Sequence, residues 1–235
     1  MQKMTSPAPG HALPADQSRA RGETDAGARA VTAAPLAPDG KRDQILAGAR
    51  QVFRSQGFDA ASMDGVARAA GVSKGTLYVY FTSKEGLFAD LVRADLQAAA
   101  EQQAILDRNN PDIRAVLHAY GVSFIRRMLE PEHIAMVRMV IAASIKLPAL
   151  GQIFYEAGPE HGINHLSGYL DECTARGQLD IPDTALAAAQ FYELCQGAIV
   201  KPLFFGAPSD TSDASIQKTI VSALDMFMGR YRPGA

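Results

Sequence analysis

The chain has 235 residues, 47% hydrophobic and 20% charged, with 7% aromatic residues and no Trp, a balance that fits a soluble, Ala-rich helical protein of one long domain or two small ones. Two cysteines, Cys173 and Cys195, are too few for a disulfide framework. No apolar run approaches the length of a membrane span and the N-terminus has no apolar signal core, so secreted and membrane classes fall away and a cytoplasmic location is expected. The net charge of −2 argues against a nucleic-acid partner on its face, but residues 41–90 carry seven basic and five acidic groups against twelve and sixteen in residues 91–235, so any DNA face must be local.

Residues 1–40 hold ten Ala, five Pro and four Gly with hardly any large apolar side chain, and read as a disordered tail. Arg19, Arg21 and Arg29 could brush phosphates as a mobile arm, but the balanced charge favours a passive segment. The first helix is expected from about Lys41 to Gln56, with Ile45, Leu46, Ala49, Val52 and Phe53 as its apolar stripe and Gly57 as its end. Ser62 is a good N-cap for a short helix that places Val66, Ala67 and Ala70 on one face, and Gly71 supplies the left-handed residue that stops it. Val72 plugs the corner, Ser73 caps a second short helix over Lys74–Tyr80, and Leu77 and Phe81 face inward. This is a helix-turn-helix with its polar side on the second helix. Thr82-Ser83-Lys84-Glu85 has the form of a capping box that opens a fourth helix running to about Asp107.

Beyond Asn109-Asn110-Pro111-Asp112 the pattern predicts helices over about Ile113–Leu129, Glu132–Lys146 and Leu150–Arg176, the last kinked at Gly158-Pro159. Two more follow over about Asp183–Phe205 and Ser212–Arg230. The expected fold class is all-α, with about nine helices, no strand alternation and no repeat.

The run Gly71-Val72-Ser73-Lys74-Gly75-Thr76-Leu77-Tyr78-Val79-Tyr80-Phe81-Thr82-Ser83-Lys84-Glu85 closely resembles the signature of TetR-family transcriptional regulators. The likeness extends back through Ile45, Leu46, Ala49, Val52, Phe53, Gly57 and Phe58 and covers about residues 41–92. Phe154-Tyr155-Glu156-Ala157-Gly158-Pro159-Glu160-His161-Gly162, Tyr169-Leu170 and Ala175-Arg176-Gly177-Gln178-Leu179 resemble the AefR-like branch of that family. The resemblance implies three parts: the tail at 1–40, a DNA-binding domain at 41–88, and a helical effector-binding and dimerisation domain at 89–235.

The seven-residue recognition helix spans about 10 Å, comparable to the width of the major groove. At its N-terminal end, which Ser73 caps, Lys74 can donate to guanine O6 or N7, Thr76 can donate, accept or pack its methyl on thymine, and Gly75 permits close backbone approach. In the family resembled, the matching positions contact bases. Tyr78 and Tyr80 offer hydroxyls to phosphates, although Tyr80 can instead cover the core with part of its ring. Lys84, in a first helical turn where a cation is disfavoured, points to an external phosphate, with Ser62, Lys41 and Arg42 as further phosphate contacts. Asp64 is an unhelpful acid beside them.

One helix-turn-helix reads only a few base pairs, so a palindromic operator on double-stranded DNA and a homodimer are expected. The surface offered lies on the last two long helices, on Phe191, Leu194, Ile199, Leu203, Phe204, Phe205, Ile216, Ile220, Leu224, Phe227 and Met228, unless these are all intrachain core. Phe124, Met128, Met136, Met139, Phe154, Tyr155 and Tyr169 are adaptable residues suited to a pocket for a small apolar effector, as the resemblance implies. A DNA-binding protein without ligand response would share the same DNA face. His161 and His165 lie four apart, a zinc-compatible spacing, but lack an adjacent catalytic Glu and a clear third ligand. No catalytic constellation is apparent, so no enzyme, resident metal or cofactor is expected.

Overall fold

The computed structural model describes residues 38–101, 103 and 105–234, so the tail assigned to 1–40 falls almost wholly outside the described residues. Within them every regular element is helical, with eleven α-helical segments and one π-helical turn. The first four are α1 (Pro38–Ala60), α2 (Met63–Ala69), α3 (Lys74–Tyr80) and α4 (Lys84–Glu101). Helical order in α1 begins three residues before the expected start and breaks at Gly57, whose φ of 75° lies outside the reach of most L-residues. The turn between α2 and α3 is made by Gly71 at φ 62°. The two serines cap as expected: Ser62 Oγ accepts from the Gly65 N–H at 3.1 Å and Ser73 Oγ from the Thr76 N–H at 3.0 Å. At the start of α4 the cap is Ser83, accepting from the Gly86 N–H at 3.0 Å, rather than Thr82.

The next elements are α5 (Ile113–Met128), α6 (Pro131–Ser144), α7 (Pro148–Tyr155), the π turn (Glu156–Glu160), α8 (His161–Ala175), α9 (Thr184–Gln196), α10 (Val200–Phe204) and α11 (Asp213–Tyr231). Three boundaries differ from expectation. α4 stops at Glu101, and the chain then drops Leu106 into the C-terminal core. The kink at Gly158-Pro159 takes the form of the π turn, where Pro159 has no N–H to donate and the helical path widens without breaking. The helix expected over Asp183–Phe205 divides into α9 and α10, because Pro202 cannot donate to the Ala198 carbonyl that continuity would require.

Apolar burial forms two cores. The first joins α1 to α4 around Phe53, Phe58 and Phe88, whose ring centroids lie 4.9–5.9 Å apart, and extends to Val140 and Ala143 of α6 and Leu150 of α7. The helix-turn-helix therefore rests on later parts of the chain. Ion pairs cross the same seam, Arg54 to Glu132 at 2.7 Å and Lys146 to Asp59 at 2.8 Å, but exposed pairs of this kind contribute only about 0–1 kcal/mol each. The seam is held by its apolar contacts.

The second core packs α5, α8, α9 and α11 and corrects the expected dimer surface. Phe191, Ile199, Ile216, Ile220, Leu224 and Phe227 are all buried within the single chain. Each helix turns its largest apolar stripe inward, as a single-layer bundle requires. Leu194, Leu203, Phe204 and Met228 are half-buried against that core, and Phe205 stays 88% exposed.

Candidate nucleic-acid interface and internal cavity

α3 buries Leu77 completely and hands Phe81 to the same core, which fixes the roll of the helix and decides what faces outward. Lys74, Gly75 and Tyr78 are exposed, while Thr76 and Tyr80 are half-buried, with the Tyr80 ring packed on the first core. Gly48 sets the depth of the assembly. A Cβ there would lie 2.6–2.7 Å from backbone and Cβ atoms of Ala70, so α1 and α2 meet at a distance only glycine allows.

The polar groups of this face are already engaged with one another. Lys74 Nζ pairs with Asp64 at 2.8 Å, and this bond raises the ammonium's pKa. The Ser73 and Thr76 hydroxyls lie 2.8 Å apart. Lys41 donates to Gln44 at 2.9 Å, and Arg42 donates to Asp90 at 2.9 Å with its guanidinium 5.7 Å from the Phe81 ring centre. The Lys74 and Ser73–Thr76 bonds are exposed and those of Lys41 and Arg42 part-buried, and a phosphate or base edge can compete for each cation.

Lys84 is a correction. Its ammonium donates to the carbonyls of Phe58 at 2.8 Å, Asp59 at 3.2 Å and Ala61 at 3.0 Å, and sits 4.6 Å from the Phe58 ring centre. All three donors are used, so the anionic partner inferred from sequence is the carbonyl end of α1. Two surface groups were missed. Val79 on α3 is 81% exposed, and Arg68 on α2 is exposed without an ion pair among the described residues.

Behind this module lies a cavity of about 510 Å³, within the range that holds a drug-sized molecule. Phe124 and Met128 of α5 and Phe154 and Tyr155 of α7 line it, as expected. Met136, Met139 and Tyr169 do not, and each is a correction. Met136 and Met139 point from the other side of α6 onto the first core, and Tyr169 is buried in the second. The wall next to the helix-turn-helix is Leu96 of α4. A Cβ on Gly158 of the π turn would come within 3.2 Å of that leucine.

The polar lining was not foreseen. The Tyr192 hydroxyl donates to the Gly162 carbonyl at 3.2 Å, which leaves Tyr120 as the donor in the 2.6 Å bond between the two phenols. Burial raises the pKa of both, so neither ionises near neutrality. His133 is driven down to about 4, mainly by burial and then by the Arg127 charge, and is neutral at pH 7. His161 and His165 also line the cavity, and no cluster of three or more His, Cys, Asp or Glu suited to a metal occurs among the described residues.

Comparison with known proteins agrees with this geometry. Residues 45–91 match the bacterial regulatory proteins of the tetR family, and residues 115–233 match the AefR-like transcriptional repressor C-terminal domain. The chain belongs to the TetR family. It is 34% identical to the solved structure of the flavonoid-responsive regulator FrrA, with a TM-score of 0.74 over 84% of this chain and 100% of that one. It is 40% identical to the regulator UidR of Escherichia coli K12 over 58 residues (25% of this chain, 30% of UidR). The activator FasR of Mycolicibacterium smegmatis is 36% identical over 89 residues, covering 36% of this chain and 41% of FasR. The chain thus spans about a third of the length of these two curated relatives. It is a transcriptional regulator with a helix-turn-helix that binds DNA. Among the described residues, no helix is long and apolar enough to cross a membrane.

Proposed function

We propose that this regulator is a cytoplasmic homodimer that represses transcription from a palindromic operator and leaves it when a small, mostly apolar effector fills the internal cavity. The observation that carries the reading is the double use of α4. Its first turns pack through Leu87 and Phe88 into the core that also holds Leu77 of α3, with Phe88 against Phe53 and Phe58 of α1, and Leu96 near its far end lines the cavity. A molecule pressing on Leu96 and on the π turn against it pushes on the rod that supports the recognition helix. The likeness to FrrA, a flavonoid-responsive regulator, supports a small-molecule effector here.

On the DNA side, Lys74, Gly75 and Thr76 read base edges, with Val79 available to a thymine methyl. Tyr78, Ser62, Lys41 and Arg42 hold phosphates. Lys74 exchanges Asp64 for the DNA as it docks. The pairing surface is the outer face of α9 and α11, where Leu186, Val221 and Met226 remain exposed beside half-buried Leu194 and Met228.

Selection of bound duplexes from random DNA by the full chain tests this directly. An enriched inverted repeat is expected, released on titration with the cavity's ligand. Enrichment of single half-sites only, at protein concentrations where the chain stays monomeric, refutes the dimeric reading.

A further inference from the structure

Most of the cavity is apolar, yet one wall holds a guanidinium that no carboxylate pairs with. Arg127, in the last turn of α5, lines the cavity, and its Nε is buried without a hydrogen-bond partner. No ion pair or hydrogen bond to its guanidinium exists among the described residues. The neighbouring last-turn arginine, Arg126, has by contrast a carboxylate on α11, Asp213 at 2.9 Å. The C-terminal end of a helix tolerates a cation, but that does not explain an Nε–H held out of water and unbonded.

Glu130, three residues on, acts on it through space without forming an ion pair, and the other groups of the wall offer no free anion. His133 is neutral, the Tyr120 and Tyr192 hydroxyls are committed to each other and to Gly162, and Glu193 is neutralised by Lys201 at 2.6 Å. A buried Gln103 carbonyl oxygen in the same wall is also unpartnered, a feature that suits a ligand hydroxyl or amide. A buried guanidinium lacking an anion is costly, and its planar fork matches a carboxylate with two parallel hydrogen bonds.

We infer that the effector is a monoanionic amphiphile, an alkyl or aryl carboxylate, whose charged head pairs with Arg127 and whose apolar body lies along Phe124, Met128 and Leu96. The proposal rests on the ligand-responsive reading above and narrows its effector from any apolar molecule to an acid. The head neutralises the one unpaired charge in the wall, and the body reaches toward the side where α4 passes.

Calorimetric titration of the full chain at pH 7.5 with two acid–ester pairs tests it: decanoate against methyl decanoate, and 2-naphthoate against methyl 2-naphthoate. At least one acid is expected to bind ten times or more tightly than its ester. Arg127→Gln is expected to abolish that preference while the ester still binds. The acid–ester ratio in the unaltered chain decides the matter even if the variant folds poorly. Esters that bind as well as their acids overturn the proposal and leave the effector cavity standing. If no probe of either kind binds, both readings fall.

Discussion

Gly48→Ala separates close packing from helix propensity, because the two act in opposite directions at this position. In a helix interior the added methyl is favourable by up to about 1 kcal/mol. At Gly48, however, the new Cβ would lie 2.6 Å from the Ala70 nitrogen and 2.7 Å from its Cα and Cβ, against the roughly 3.5–4.0 Å of a relaxed carbon contact. The obstacles are mainly backbone, so no rotamer relieves them and α2 must retreat by about 1 Å. Overpacking of this kind costs about 1–3 kcal/mol, and the rigid partner places it near the upper end, for a net loss of about 2 kcal/mol. In a chain of this size that lowers the melting temperature by roughly 4–8 °C. The control is Gly168→Ala in α8, where a Cβ meets nothing within 4 Å and a gain of about 0.5–1 kcal/mol is expected. Thermal melts followed by circular dichroism compare the two, and anisotropy on a selected operator reports the displaced α2–α3 corner as weaker binding by folded protein. A Gly48→Ala chain that melts at or above the parent refutes the claim that glycine sets this spacing.

Three other outcomes follow from the geometry. Lys84→Met keeps an apolar stem on Phe58 but removes three charged hydrogen bonds, so a stability loss of about 2 kcal/mol and an unchanged salt dependence of DNA binding are expected; a salt slope smaller by about one with stability intact would restore Lys84 as a phosphate contact. Asp64→Asn frees Lys74 and should tighten binding to all duplexes by about two- to fivefold, whereas Lys74→Ala should relax preference at one or two base positions by about tenfold, and equal losses on operator and random DNA would contradict base reading. His133 adds an acid sensitivity. Between its unfolded pKa near 6.5 and its folded value of about 4 only the unfolded chain takes up the proton, so stability falls as pH drops through that window and levels off below it. The ceiling is roughly 3 kcal/mol, and urea midpoints against pH should show a flatter acid limb for His133→Phe.

The reading head was legible because its determinants are local. Ser62, Ser73 and Gly71 announce their caps and turn within three or four residues, and the stripe from Ile45 to Phe53 states its own period. The cavity was legible only in part, through Phe124, Met128, Phe154 and Tyr155, for the opposite reason. Its walls converge from segments far apart in sequence, and side-chain chemistry alone cannot say which face of a helix is turned to it. On α6, His133 and Val137 face the cavity while Met136 and Met139, one to three residues away, face the first core. On α8, His161 and His165 line the cavity while Tyr169, one turn further along, is buried in the second core with Leu166 and Cys173. Lys84 misled because the sequence shows a cation at a helix start but not the carbonyls of another helix end that approach it. Phe191, Ile199, Ile216, Ile220, Leu224 and Phe227 misled as dimer residues because large apolar side chains on long helices serve an intrachain core first.

The floor beneath the reading head is lent by α6 and α7, and this limits how relatives can be recombined. A chimera spliced within α4 just beyond Leu91 would inherit a foreign Val140, Ala143 and Leu150 in the same core as its own Phe88 and Leu91. Grafts that carry those three positions along with the head should transfer operator choice intact, while grafts that leave them behind should mispack at the joint before any question of DNA preference arises.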